Sequence, residues 1–399
     1  KNSVKNVLDK TPIIGKGIGK AVKGTKQLLK YAIYHSNLFE DLGFKYLGPI
    51  DGHNLDELTE ALMVAKMMQR PCLVHIYTKK GKGYAPAEDN SGEYHGLPPK
   101  KDDDNNCKGE CFTDAFGKAL LLFADNDNSI YAVTAAMKYG TGLQHFYKAF
   151  PERFFDVGIA EQHAVTFSAG LASQGKLPVF AVYSSFLQRS YDQLIHDCAI
   201  EKRHVVLGID RAGFVGEDGE THHGLFDVAM LTTVPGVTVY SPSDTAELSQ
   251  CLEQALYKDK GVVAVRYPRG CELYRSGTKA YSDFRHVSNK SRKLIFTYGR
   301  ISAYAYTVHG VDVLQAIKIF PIADEIIDIC LAYDEIYAFE EGEREGGIAQ
   351  KLCTALALAG YKGRFTITAV DGFVRHADVA TQLHNAMLDA DGMRKITGE

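Results

Sequence analysis

No apolar run in this sequence approaches the ~20 residues that a membrane-spanning helix requires, and no signal-peptide pattern opens it. Basic residues are not in excess. The 45 Lys and Arg stand against 49 Asp and Glu, a net charge of −4, which argues against a general nucleic-acid binder. Cysteine is sparse, 8 in 399 residues, too few for a disulfide framework, so the expectation is thiols in a reducing compartment. Cys107 and Cys111 form a C-x3-C pair, but no second Cys or His pair stands at zinc spacing, and no metal site is assigned. A phosphate loop is missing too: GKGIGKAVKG lacks the GxxxxGK[ST] spacing and follows no strand. Short-period repeats are absent. Lys1 opens the chain instead of Met, so it reads as processed or as a piece of something longer.

What is present is an ordinary globular composition, 45% apolar and 24% charged, which excludes disorder and low complexity as descriptions of the whole. At about 150 residues per domain the length suggests two or three domains. The first thirty residues hold eight lysines and one acid, Asp9. They read as a solvated basic helical segment hinged at Gly15, Gly17, Gly19 and Gly24, or as a phosphate-facing one. Two polar stretches, 100–110 and 272–293, read as loops or linkers. They leave blocks 1–100, 111–271 and 294–399.

The middle block alternates short β-branched or aromatic runs with helical patterns. SIYAVTAA, FFDVGIA, LPVFAVY, HVVLGID, VTVY and VVAVR are strand candidates. EQHAVTFSAGLASQG, SFLQRSYDQLIHDCAI (with Ser184 and Ser185 as capping candidates) and AELSQCLEQALY read as helices. The last block repeats this style with KLIFTYG, VDVLQAI and EIYAFEEG, and the first ends in a helix, LDELTEALMVAKMM, and a strand, PCLVHIYT. Such alternation predicts mainly parallel sheets flanked by helices, an α/β fold. In such sheets ligands bind beyond the carboxyl ends of the strands. That directs attention to 79–95, 161–163, 183–189, 211–223 and 266–270.

Several side chains there can carry chemistry, and each has a plainer reading beside it. Glu161 opens a helix directly after a strand, as a helix N-terminal acid or as a partly buried acid for a ligand nitrogen. Tyr183 and Phe186 end the next strand, where they pack or stack on a flat heterocycle. Arg189 lies about one turn further on. Arg211, Asp218, His222 and His223 share one glycine-rich loop, solvated or functional. Arg269 ends another strand, so it and Arg211 can clamp a phosphate or carboxylate. Arg266, within the strand, is weaker. KGKGYAPAE holds Tyr84 and precedes His95, a structural or a catalytic histidine. Unaided, these residues support a multi-domain α/β enzyme acting on a small anion.

The strings YLGPIDGHNLDEL, TKKGKGYAPAE, FFDVGIAEQHAVTFSAGLA, VYSSFLQRSYDQLIHD, IDRAGFVGEDGETHHG and VRYPRG closely resemble the 1-deoxy-D-xylulose-5-phosphate synthases. These are thiamine-diphosphate-dependent transferases related to transketolase. AEQHAV alone marks the wider transketolase group, while FLQR-x-YDQ and DRAG-x-VG-x-DG-x-TH narrow it. The resemblance implies a three-domain transketolase-like architecture whose first domain is incomplete. Residues 1–108 would be the C-terminal part of the diphosphate-binding domain, 109–275 the pyrimidine-binding domain and 290–399 the C-terminal domain. The GDG…N motif that holds Mg²⁺ and the diphosphate is expected in a missing N-terminal portion.

The family condenses pyruvate with D-glyceraldehyde 3-phosphate into 1-deoxy-D-xylulose 5-phosphate and CO2, at the head of isoprenoid precursor synthesis. By motif position, Glu161 resembles the acid that hydrogen-bonds the aminopyrimidine ring. Phe186 would stack on that ring, and Tyr84 and Tyr183 would contact the cofactor. His95 and His222 would stand near the reacting carbons. Tyr183, Asp218 and His222 match the substrate pocket, and Arg211 and Arg269, with Arg189 nearby, match the phosphate grip. His163 stays ambiguous, and His223 closer to structural. The resemblance further implies a cytoplasmic homodimer, bacterial or plastid, with no nucleic acid or membrane partner. Two other readings are a true transketolase or dehydrogenase E1-type subunit, and an inactive fragment or non-catalytic subunit.

Overall fold

The computed structural model describes residues 38–95, 109–275, 277 and 280–399. The basic opening segment and Cys107 lie outside them. The chain divides into two compact units, Lys1–Pro99 and Lys100–Glu399.

In the first unit, β1 (Lys45–Asp51), α1 (Leu55–Met67) and β2 (Cys72–Tyr77) form a β-α-β motif with the strands parallel. Asn54 caps α1, its side chain accepting the Glu57 N–H at 3.3 Å. The helix and β2 follow the apolar pattern. No strand was expected at β1, because Gly48 and Pro49 interrupt it, and the β1–β2 register shifts there, between Leu47 and Ile50.

The second unit begins with α2 (Phe112–Asn126) and contains two sheets. The larger is built from β3 (Ile130–Thr134), β4 (Phe154–Asp156), β5 (Leu177–Tyr183), β6 (Val205–Asp210), β7 (Thr238–Tyr240) and β8 (Val262–Arg266). The helices α3 (Glu161–Ser173) and α4 (Thr245–Tyr257) alternate with them. The smaller contains β9 (Phe284–Val287), β10 (Lys293–Tyr298), β11 (Asp312–Ala316), β13 (Glu335–Glu343) and β14 (Arg364–Val370), with α5 (Ile348–Leu358) between the last two. Strand β12 (Lys318–Phe320) leaves the smaller sheet and pairs antiparallel with β7. The orders are therefore β12-β7-β8-β6-β5-β3-β4 and β14-β13-β10-β11-β9, parallel except at β12 and β9. The α/β fold with mainly parallel sheets is as the alternation predicts.

The sheets share one apolar core. Val205, Leu207 and Ile209 of β6 cluster with Leu294 and Phe296 of β10 and Ile336 and Ala338 of β13. All are essentially buried, each of the larger side chains contributing about 1.5–3 kcal/mol relative to an exposed one. Asp244 caps α4, its side chain accepting the Glu247 N–H at 2.8 Å. The Glu247 carboxylate returns to the Ser243 N–H at 2.7 Å, a reciprocal arrangement that satisfies two donors at the helix start.

Three expectations change. The 272–293 stretch is not loop throughout, since β9 lies in it as an antiparallel edge on β11. The helix expected over 185–200 is broken into Ser184–Leu187, a 3-10 turn Gln188–Ser190, Tyr191–Gln193 and a π-turn Leu194–Ala199. Tyr183, not a serine, takes its cap position, and the hydroxyls of Ser184 and Ser185 are buried without partners. Finally, Cys271 is disulfide-bonded, whereas Cys72, Cys198, Cys251, Cys330 and Cys353 are free thiols.

Candidate active site

The candidate residues of the second unit converge because β3, β4, β5, β6 and β8 run parallel and end on one edge of the larger sheet. Register brings Tyr183 of β5 opposite Asp210 of β6. Arg211 follows at once, with its backbone at φ +62, a conformation that non-glycine residues adopt only when their surroundings hold them. Ala212 then donates to the Tyr267 carbonyl at 3.0 Å, which ties this loop to the end of β8 and so to Arg269.

Eight predicted residues form one chain of contacts. The Glu161 side chain is only 2% exposed and pairs with the Arg189 guanidinium, which is half-exposed. Arg189 lies 4.8 Å over the Phe186 ring. Phe186 stacks on Tyr183 at 5.6 Å and meets the edge of His222 at 5.1 Å. Arg211 covers the Tyr183 ring at 4.0 Å, a cation–π contact. Its Nε stands 3.5 Å from Asp218 Oδ2, and the Nε of Arg269 is 3.3 Å from the same oxygen. Asp218 thus holds two like-charged guanidiniums side by side. Arg189 stands with Glu161 rather than with that arginine pair.

Further groups hold this chain in place. Arg211 Nη1 donates to the Gly140 carbonyl at 2.5 Å and to Asp210 Oδ1 at 2.9 Å. Asp210 is fully buried and accepts the Thr113 hydroxyl at 2.7 Å; burial pushes its carboxyl up, and the Arg211 charge opposes that. Burial likewise raises the Tyr183 phenol. Arg269 donates to the Val215 carbonyl at 3.2 Å and to Glu217 at 3.3 Å.

Sequence reasoning passed over the loop after β3, residues 135–143. A Cβ on Gly140 would fall 1.7 Å from Tyr183 Oη, so only glycine lets the ring and the Arg211 guanidinium lie where they do. The available signal was a KYGTG turn a few residues after a strand.

The residues held back also resolve. Arg266 is buried and locked to Asp227 by bonds of 2.9 and 3.2 Å. His223 is buried and accepts the Val215 N–H at 3.2 Å, a structural position. His163 is exposed on α3, 6.0 Å from Phe167. Tyr84 and His95 belong to the first unit. There Tyr84 is 56% exposed and packs edge-on to Tyr94, and His95 Nδ1 lies 2.6 Å from Lys80 Nζ.

Comparison with known proteins follows the same lines. A profile described as the transketolase pyrimidine binding domain matches residues 111–272, and one described as 1-deoxy-D-xylulose-5-phosphate synthase matches residues 1–78. A 1-deoxy-D-xylulose-5-phosphate synthase of Clostridium kluyveri is 47% identical over 316 residues, covering 76% of this chain and 50% of that protein. One of Caldanaerobacter subterraneus is 39% identical, covering 98% and 66%, and one of Natranaerobius thermophilus is 39% identical, covering 100% and 67%. The chain thus spans about half to two thirds of the length of these curated relatives. Among solved structures, a split-gene transketolase described as an inactive beta4 tetramer gives a TM-score of 0.62 at 23% identity, over 71% of this chain and 95% of that one. A transketolase from Campylobacter jejuni gives 0.60 at 15% identity, over 92% and 70%. At these identities the structural likeness shows the fold.

Proposed function

Because the chain belongs to the 1-deoxy-D-xylulose-5-phosphate synthase family, we propose that it forms the pyrimidine- and aldehyde-binding side of an enzyme joining pyruvate to D-glyceraldehyde 3-phosphate. CO2 is released and 1-deoxy-D-xylulose 5-phosphate is formed. The observation that carries this reading is the unbroken contact chain from Glu161 through Phe186 and Tyr183 to the two arginines on Asp218. It combines an acid and an aromatic face for a heterocycle with a guanidinium pair for a phosphate.

The residues present fit the pyrimidine end of thiamine diphosphate. A buried carboxylate beside an aromatic ring meets a flat nitrogen heterocycle at its edge and its face, and the adjacent Ser184 and Ser185 hydroxyls are buried without partners. When bound, the cofactor supplies the electron sink for loss of CO2. In this reading Glu161 hydrogen-bonds a ring nitrogen and fixes where its proton sits. Phe186 and Tyr84 contact the cofactor. His95 and His222 move protons near the reacting carbons, and Tyr183 and Asp218 line the substrate pocket. Arg211 and Arg269, with Arg189 at the entrance, hold the aldehyde's phosphate, for which planar guanidinium forks are suited. Mg²⁺ accompanies the diphosphate in this reading, and no ligand for it is assigned here.

The domain division 1–108, 109–275 and 290–399, a homodimer and a bacterial cytoplasmic setting belong to the same proposal. Relatives from bacteria support its bacterial part, and among the described residues no helix is long and apolar enough to cross a membrane. A second reading, that this chain is a non-catalytic subunit, draws on its likeness to a split-gene transketolase described as an inactive beta4 tetramer.

The test is turnover of pyruvate with glyceraldehyde 3-phosphate, cofactor and Mg²⁺, followed by CO2 release. In the complete protein turnover is the expected result, and there Glu161→Ala should lower it at least ~10²-fold with an unchanged near-ultraviolet circular dichroism spectrum. Turnover only with a ketose-phosphate donor would make it a transketolase instead. Turnover only after a second, diphosphate-binding chain is added would favour the subunit reading.

A further inference from the structure

Two residues of the smaller sheet, Arg300 and Glu341, hold both segments that carry the arginine pair. Arg300 lies in the 3-10 turn Gly299–Ile301 after β10, and Glu341 lies in β13. Their side chains are 6% and 7% exposed. They pair through Arg300 Nε to Glu341 Oε2 at 2.9 Å and through Nη2 to Oε1.

The remaining capacity of the pair goes to backbone of the candidate site. Glu341 Oε1 accepts the Phe214 N–H at 2.7 Å. Arg300 Nη2 donates to the Phe214 carbonyl at 2.8 Å, and Nη1 donates to the carbonyl of Arg269 at 3.3 Å. Gly213, at φ +80, has no room for a side chain: a Cβ would lie 2.3 Å from Glu341 Oε1. The Arg211 loop is therefore seated directly on this carboxylate. One fork of donors spans the two segments whose guanidiniums meet at Asp218.

A buried ion pair is costly to desolvate and is often no more stabilising than apolar residues of the same volume. Stability alone does not account for this one, whose remaining bonds among the described residues run to the arginine-bearing segments. We propose that Arg300 and Glu341 are positioning residues that set the spacing of Arg211 and Arg269 for a phosphate group. The smaller sheet thereby tunes the affinity of a clamp that it does not itself form. The inference rests on the reading of the arginine pair as a phosphate clamp.

The experiment is an equilibrium titration of the 399-residue chain with inorganic phosphate, followed by phosphorus NMR, and it needs no turnover. Wild type should bind phosphate, and Arg269→Ala should lose that binding. Arg300→Lys keeps the charge opposite Glu341, but one ammonium cannot serve both the Phe214 and Arg269 carbonyls. It should weaken phosphate binding about 10-fold in a chain that still folds. In the active enzyme it should raise KM for the phosphorylated aldehyde by a similar factor while KM for pyruvate and kcat stay within about twofold. A merely structural role would not produce that split.

A folded Arg300→Lys with wild-type phosphate affinity overturns the inference and leaves the clamp standing. A wild-type chain that does not bind phosphate overturns the clamp reading and the inference with it. If Arg300→Lys does not fold, the isosteric Glu341→Gln decides: a loss of about threefold or more supports the inference, and unchanged affinity overturns it.

Discussion

Arg266 with Asp227, and Arg211 and Arg269 with Asp218, are the same chemistry in two settings a few residues apart in sequence. In the first, side chains 4% and 0% exposed close a two-bond fork, and Ser241 takes a further contact at 3.3 Å. In the second, two arginines, 14% and 32% exposed, reach one oxygen of a carboxylate that is 24% exposed. Both Arg211 Nε and Asp218 Oδ2 are left without a well-formed hydrogen bond. The closed pair has spent its bonding capacity on the protein and reads as architecture. The open group keeps capacity for something that arrives, which is what a binding site requires.

The largest effect should come from breaking the closed pair. Arg266→Ala leaves Asp227 buried without its counter-charge and should cost about 3–5 kcal/mol, measured by urea unfolding. Pairing it with Asp227→Leu should recover most of that loss, because the buried carboxylate goes too. A loss below about 1 kcal/mol for the single variant would put Arg266 in the same class as the open group.

Arg269→Ala should behave in the opposite way. It should change unfolding free energy by less than about 1 kcal/mol. It should raise KM for the phosphorylated aldehyde about 10- to 100-fold, the worth of a lost charged hydrogen bond, with KM for pyruvate little changed. Equal effects on both substrates would remove it from the clamp.

The smallest effect concerns pH. His223 holds its Nδ1 lone pair toward the Val215 N–H, and burial lowers its pKa from 6.5. The folded state therefore resists a proton that the unfolded chain accepts. This penalty is absent above pH 6.5 and grows as pH falls below it. The unfolding midpoint of wild type should drop over that range, and the drop should flatten in His223→Gln. An unchanged slope would show that the Arg211 loop does not depend on this bond.

Much of this was readable in advance. Alternating β-branched runs and amphipathic helices identified β3 to β8, α3 and α4 within a few residues, because a parallel sheet covered on both faces needs apolar strands and one-sided helices. The strand-end rule then selected Glu161, Tyr183, Phe186, Arg189, Arg211, Asp218, His222 and Arg269, which meet in one contact chain. Other features were hidden. Gly48 and Pro49 concealed β1, and the polar composition of 272–293 concealed β9, whose residues at an antiparallel edge need be only half apolar. The role of Gly140 depends on the Tyr183 hydroxyl, a residue more than forty positions away.

Sequence by itself determined the fold class, the family and which residue types stand at the strand ends, since periodicity and local strings are properties of neighbours along the chain. Only tertiary structure decided which arginine is spent and which is open. That depends on acceptors brought from distant segments: Asp227 for Arg266, Asp218 for both Arg211 and Arg269. It also depends on the Arg300–Glu341 pair of another sheet beneath the Arg211 loop. Charge and hydrogen-bonding capacity are consumed through space, and no spacing along the chain records where they go.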